Sequence, residues 1–173
     1  MPRPTILFID DEENVRHAMR RSLRHCEYEL LFADGPELAL ELLRTMSVDI
    51  IVSDNVMPGM TGRELLSLCR DCCPDAVRIM LTGGADMSTA IAAINRGEIY
   101  QVLAKPWDDL ELQVTLNLAW EKLQLERENR RLLATLHARD PIIARIEREQ
   151  PGIARQLREE GATAPSAPPS TVS

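Results

Sequence analysis

Four apolar stretches in this chain each end on a charged or hydroxyl-bearing residue. Thr5-Ile9 runs into Asp10-Asp11, Ile50-Val52 into Ser53-Asp54, Val77-Leu81 into Thr82, and Tyr100-Ala104 into Lys105-Pro106. Short apolar runs bounded by turn residues predict buried strands. As neighbouring parallel strands, all four would deliver their polar residues to one sheet edge. That edge would hold three carboxylates, a hydroxyl and an ammonium. Carboxylates so close together repel unless a cation lies among them, so the grouping implies a bound divalent metal.

Helical patterns near 13–25, 36–46, 62–72 and 87–96 separate these stretches, with a fifth strand expected at 28–33. Gly35-Pro36, Pro58-Gly59 and Gly83-Gly84 punctuate the joins. Strands alternating with helices across short loops predict an α/β fold, a doubly wound parallel five-stranded sheet with helices on both faces. Ligands of such sheets bind beyond the carboxyl ends of the strands, where strand order reverses. The order 2-1-3-4-5 places the first, third, fourth and fifth strands side by side. It leaves the second, ending in Ala33-Asp34-Gly35, at the edge. The last helix starts after Lys105-Pro106-Trp107, with Asp108 as N-cap and Glu111 three residues on, the spacing of a capping box.

That helix is expected to be long. From Asp108 to about Ala138 the chain has no proline or glycine and most residues are good helix formers, so at ~1.5 Å per residue the helix extends roughly 45 Å. Its first half must pack on the sheet, whereas the second reaches past a domain of this size. Leu118, Leu125 and Leu132 recur every seven residues as d positions, with Lys122, Asn129 and Leu136 at a. A polar a-position residue such as Asn129 fixes register in two-stranded coiled coils, so a homodimer through this helix is predicted. The alternative is one amphipathic helix lying on an absent domain or on a partner. The expected organisation is thus a domain over 1–120, the long helix over 108–138 and its end at Asp140-Pro141. A short charged helical segment over 139–160 and a disordered Ala/Pro/Ser/Thr-rich tail over 161–173 follow.

Composition narrows the function classes. The net charge is -7, and the acidic excess lies within the first 120 residues while 121–160 is close to balanced. No stretch has the basic excess of a nucleic-acid surface. No apolar run reaches the ~18 residues that span a bilayer, and Met1-Pro2-Arg3-Pro4 leads into a strand rather than a signal peptide. A cytoplasmic protein with no membrane or nucleic-acid partner is expected. The cysteines are Cys26, Cys69, Cys72 and Cys73. Cys69-x-x-Cys72-Cys73 hints at a metal or redox site, but structural zinc wants four well-placed ligands, and disulfides are not expected without an export signal. Packing or exposure is the expected role.

The chemistry follows from the polar strand ends. Asp54 ends the most hydrophobic approach, so its carboxylate is fixed yet reachable, suited to accept a phosphoryl group. Asp10 and Asp11 would complete the acidic metal ligands with Asp54, and the Val56 backbone carbonyl would add another. Mg2+ suits such a set, because it takes carboxylate oxygens, keeps waters and leaves room for phosphate oxygens. Lys105 would contact the phosphoryl oxygens and Thr82 would offer a hydroxyl donor. Catalysis would then be positioning and charge stabilisation of an in-line transfer.

Taken together, Asp10-Asp11, Asp54 with Met57-Pro58-Gly59, Thr82-Gly83 and Lys105-Pro106 resemble the receiver domain of bacterial two-component response regulators, over about residues 4–120. The resemblance implies a sensor histidine kinase that donates phosphate from a phosphohistidine to Asp54. It also implies a flavodoxin-like sheet and a switch in which Thr82 draws toward the phosphoryl group. Ala93 to Tyr100, through Lys105-Pro106-Trp107, is similar to a subset whose regulators carry a metal-dependent phosphodiesterase or an ATPase-type transcription activator. Two departures stand out. Three residues before the lysine most receivers have an aromatic; here it is Val102. Tyr100 lies two residues earlier, expected on the same strand face but about 6.6 Å farther from the site. Either Tyr100 substitutes or the signal leaves through the last helix. Val56 and Gly84 flank the acceptor, and neither side chain can orient a water, so slow loss of phosphate is expected. The predicted output is a change of dimer geometry or the binding of a downstream protein, with no separate enzymatic domain. The alternative is the receiver portion of a larger regulator whose output domain, a phosphodiesterase or transcription activator, is absent from this chain. The residues after 140 are too few and too balanced in charge for a DNA-binding domain.

Overall fold

In the computed structural model, residues 3–83 and 87–149 are described, without the side chains at 88–90, 93, 137–144, 146, 147 and 149. Each apolar stretch forms a strand: β1 (Thr5–Ile9), β2 (Glu29–Ala33), β3 (Ile50–Asp54), β4 (Val77–Thr82) and β5 (Gln101–Ala104). Between them lie α1 (Glu13–Ser22), α2 (Pro36–Thr45), α3 (Gly62–Cys72) and α4 (Met87–Asn95), and α5 (Asp109–Glu149) follows. All strand pairs are parallel, in the order β2-β1-β3-β4-β5. This is the flavodoxin-like order that the sequence predicts, with β2 at an edge and only its last residue buried.

Period-two alternation divides the strand side chains between two cores. Leu7, Ile9, Ile51 and Met80 face Ala39 and Leu43 of α2 and Leu65, Leu66 and Cys69 of α3. Ile6, Phe8, Ile50, Val52, Ile79 and Leu81 face Met19 of α1 and Leu112, Leu116, Ala119 and Leu123 of α5. Each buried Val, Leu, Ile, Phe or Met side chain among them contributes ~1.5–3 kcal/mol on leaving water. Burial of both faces is why β1, β3 and β4 read as nearly unbroken apolar runs. Contacts divide the chain at residue 126, and the unit before that point holds the sheet and its helices.

Two sequence expectations change. The helix placed at 108–138 runs from Asp109 to Glu149, so residues up to 149 continue it rather than forming a separate charged helix after Asp140-Pro141. One proline removes one N–H and crowds the preceding turn, which bends a helix more readily than it ends one flanked by good helix formers. The rest of the 139–160 segment, the 161–173 tail and Gly84 lie outside the described residues. Tyr100 does not share a face with Val102. It packs with the α1–α5 core, whereas Val102 packs with the α2–α3 core, because β5 begins only at Gln101 and alternation does not extend back to Tyr100.

Local signals fix the join after β3. Thr61 caps α3 by accepting from the Glu64 N–H at 3.2 Å, and Glu64 accepts in return from the Thr61 N–H at 2.9 Å. Gly59, at φ +83°, makes the left-handed turn beforehand. Gly62 lets α3 start directly against the end of β3, for a Cβ there would lie 1.9 Å from the Asp54 carbonyl oxygen. Gly62→Ala is therefore expected to lower stability by about 1–3 kcal/mol, since the obstacle is backbone and has little room to give. Urea unfolding measures it, and a loss within error of zero would contradict the close approach.

Candidate functional site

Strand register places the polar ends together. Ile9 pairs with Ser53, so the next residues, Asp10 and Asp54, emerge level from adjacent strands. Thr82 pairs with Ala104, and the following residue, Lys105, leaves β5 with its N–H bonded to the Thr82 carbonyl at 2.8 Å. The Lys105 ammonium reaches across the sheet edge to Asp10 Oδ2 at 2.6 Å and Asp54 Oδ1 at 3.1 Å. Asp10 and Asp54 are buried, Asp11 is exposed, and one carboxylate oxygen of each lies within 4.8 Å of the others. Among the described residues this acidic cluster can bind a metal ion.

Backbone donors orient both buried carboxylates. Asp10 Oδ1 accepts from the Glu12 N–H at 2.9 Å, an Asx-type turn, and Asp54 Oδ1 accepts from the Asn55 N–H at 2.9 Å. Arg16 of α1 donates to the Asp10 carbonyl at 2.5 Å, pinning the loop that carries Asp10-Asp11. Thr82 is fully buried, and its hydroxyl donates to the Gly83 carbonyl at 3.1 Å. Val56 stands two residues past Asp54, 65% exposed. The structure thus brings Asp10, Asp11, Asp54 and Lys105 together and sets Thr82 on the neighbouring strand end. Arg16 and Gly62 escape a reading of motifs. The first acts through a backbone carbonyl six residues away, and the second matters for the side chain it lacks. The Thr61-x-x-Glu64 cap, by contrast, is visible in the sequence.

The electrostatics are those of crowding. Burial pushes the Asp54 carboxyl above its ordinary range and the Asp10 charge adds to this, while the bonds from Lys105 and the Asn55 N–H only partly oppose it. Burial also works against the Lys105 charge, but its bonds to Asp10 and Asp54 outweigh that and hold the ammonium above the usual lysine value. One cation thus serves two buried carboxylates beside a third. A donor set made only of carboxylate oxygens suits a hard divalent cation.

Comparison with known proteins agrees in extent and kind. Residues 6–117 match the family described as the response regulator receiver domain. The hydrogenase transcriptional regulatory protein HoxA of Cupriavidus necator is 35% identical over 80% of this chain and 29% of its own length. The C4-dicarboxylate transport transcriptional regulatory protein DctD of Rhizobium meliloti is 35% identical over 75% of the chain and 28% of its own. The chain spans less than a third of either. The signal receiver domain of an HD domain-containing protein from Pseudomonas fluorescens superposes with a TM-score of 0.69 at 40% identity, over 74% of this chain and 94% of that one.

A carboxyl whose folded-state pKa is raised binds its proton more readily folded than unfolded. Its contribution to stability is present at low pH and lost as pH rises through the folded value. In the presence of chelator, Asp54→Asn is therefore expected to unfold a few degrees higher than the unsubstituted chain at pH 7, with the gap closing toward acid. Thermal unfolding by circular dichroism measures both. Equal midpoints at pH 7, or a gap that widens in acid, would contradict the crowding.

Proposed function

The chain belongs to the response regulator receiver domain family, and from that premise we propose that it takes a phosphoryl group onto Asp54 from the phosphohistidine of a sensor histidine kinase, with Mg2+ at the acidic cluster. The observation that carries this reading is the buried Asp54 carboxylate, which shares the Lys105 ammonium with the buried Asp10 carboxylate. Asp54 Oδ1 is engaged by the Asn55 N–H and Lys105, so Oδ2 is assigned as the attacking oxygen. A P–N bond to the donor histidine breaks as the P–O bond to Asp54 forms. Lys105 is poised to follow the phosphoryl oxygens, exchanging a carboxylate contact for a phosphate one. The Thr82 hydroxyl, on a bond to Gly83 that a rotation about χ1 releases, is the donor assigned to the phosphorylated state.

Asp10, Asp11, Asp54 and the Val56 carbonyl are the residues assigned to hold the metal. When bound, Mg2+ supplies the positive charge that lets one anion approach another.

The output is proposed to leave through α5. Its buried positions, Leu112, Leu116, Ala119 and Leu123, form one stripe against the sheet, and Leu118 and Leu125, at 50% and 72% exposed, begin a second. Leu132 and Leu136, which continue the heptad spacing in the sequence, are also exposed. A parallel coiled-coil homodimer would cover it, with Asn129 at a. A further reading, a receiver portion of a larger transcriptional regulator, is favoured by the small share of HoxA and DctD that the chain spans. A cytoplasmic location is part of this proposal. Among the described residues no helix is long and apolar enough to cross a membrane.

Asp54→Asn is expected to abolish acid-labile phosphate transferred from a phosphorylated histidine kinase, while far-ultraviolet circular dichroism stays unchanged. Transfer that persists would show the acceptor to be misassigned. Sedimentation with and without beryllofluoride is expected to show a change in mass or shape, and Leu125→Asp with Leu132→Asp to give a monomer with an intact sheet domain. A surviving dimer would place the interface elsewhere. The phosphorylated chain alone is expected to hold its phosphate for many minutes, because the exposed Val56 side chain cannot orient a water. A half-life of seconds would overturn that.

A further inference from the structure

The thiols of Cys69-x-x-Cys72-Cys73 take no part in the acidic site, and they occupy three different environments at the C-terminal end of α3. Cys69, one turn before the end, is fully buried in the core with Leu65, Leu66 and Ala76. Cys72, the last helical residue, is exposed. Cys73 is half-buried and closes the helix, its N–H bonded to the Cys69 carbonyl at 2.8 Å. Cys72 lies three residues past Cys69 on the helix and directly precedes Cys73. An oxidant in solution therefore meets Cys72 first, and any product formed there has two further sulfurs beside it.

We propose that this last turn of α3 is an oxidation site, in which a hydroperoxide oxidises Cys72 and Cys69 closes a reversible Cys69–Cys72 disulfide. The Cys72 sulfur takes the terminal oxygen of the peroxide. The O–O bond breaks, an alcohol or water leaves, and Cys72 becomes a sulfenic acid. The Cys69 sulfur then attacks the Cys72 sulfur, the S–O bond breaks, and the hydroxyl departs with the Cys69 proton as water. Two electrons pass from the paired sulfurs to the peroxide, and a thiol reductant returns them.

Geometry selects Cys69 over Cys73 as the partner. Disulfides span Cα separations of about 4.4–6.8 Å, whereas adjacent residues across a trans peptide are held at about 3.8 Å. Residues three apart in a helix lie roughly 5 Å apart and share a face. Burial pushes the Cys69 thiol up to about 12 and the Cys73 thiol up to about 11, so both stay protonated at neutral pH and react poorly with the peroxide itself. The pair sits in a terminal turn, where helices fray most easily, so ring closure disturbs no later turn. Disulfides of reducing compartments are transient and redox-sensing, as this one would be.

The test uses the full chain, treated with hydrogen peroxide, quenched, alkylated and digested with trypsin. Cleavage after Arg70 leaves the peptides of Cys69 and Cys72 joined only by their disulfide. The expected result is that linkage, reversed by dithiothreitol, lost in Cys72→Ser and retained in Cys73→Ser. Cys72 is exposed and Cys73 only half-buried at the edge of the core, so the folding of both variants is checked by circular dichroism. Sulfinic or sulfonic acid on Cys72 without the linkage, a Cys72–Cys73 bond, or a crosslink between chains through Cys72 would overturn the proposal.

Discussion

Everything at the functional edge depends on one ammonium placed among buried carboxylates. Lys105 touches both Asp10 and Asp54, which register brings level on adjacent strands. Without it, two buried negative charges would face each other with only backbone N–H donors between them, and burial alone raises the cost of ionising Asp54. The sheet makes this arrangement possible. Strands covered on both faces hold their ends rigidly, so the charges cannot relax away from one another into water. Gly62 and the Thr61–Glu64 cap tighten the constraint by seating α3 against the Asp54 carbonyl. A site strained in this way trades stability for reactivity, the usual exchange at functional centres.

Strand order and the acidic cluster were legible in the sequence because both rest on short-range patterns. An apolar run that stops at Asp, Ser-Asp, Thr or Lys names its strand and its carboxyl end together, and parallel topology then brings those ends to one edge. What escaped the sequence depends on longer-range geometry. Arg16 secures the Asp10 loop through a carbonyl, leaving no residue-type signature. Tyr100 changed faces because the first paired residue of β5 is Gln101, and strand starts are the least certain part of a periodic reading. The continuation of α5 through Pro141 turns on whether the helix on either side outweighs one missing donor, which residue spacing does not settle.

The face change at β5 bears on how the site would communicate. With Val102 on the α2–α3 side and Tyr100 on the α1–α5 side, Tyr100 is not placed to replace an aromatic that moves with Thr82. Its ring instead lies under the Lys122 ammonium of α5, 5.8 Å from the ring centroid, and Lys122 also pairs with Glu126 one turn on. Lys122, between Leu118 and Leu125 on α5, is therefore in contact with the residue just before β5. A signal carried by displacement of α5 fits this arrangement better than one carried by rotation of a buried aromatic. The relatives named as transcriptional regulators have most of their length beyond the region shared with this chain.

The central claim is that the crowded carboxylates become a phosphoryl acceptor once a divalent cation is among them. Its most direct test is the mass of the intact chain after incubation with a small acyl phosphate donor, in Mg2+ and in chelator, followed by borohydride reduction and peptide mapping. The account predicts one phosphoryl group per chain, dependent on Mg2+, with the reduced residue at position 54. Labelling at another carboxylate, or equal labelling in chelator, would contradict it.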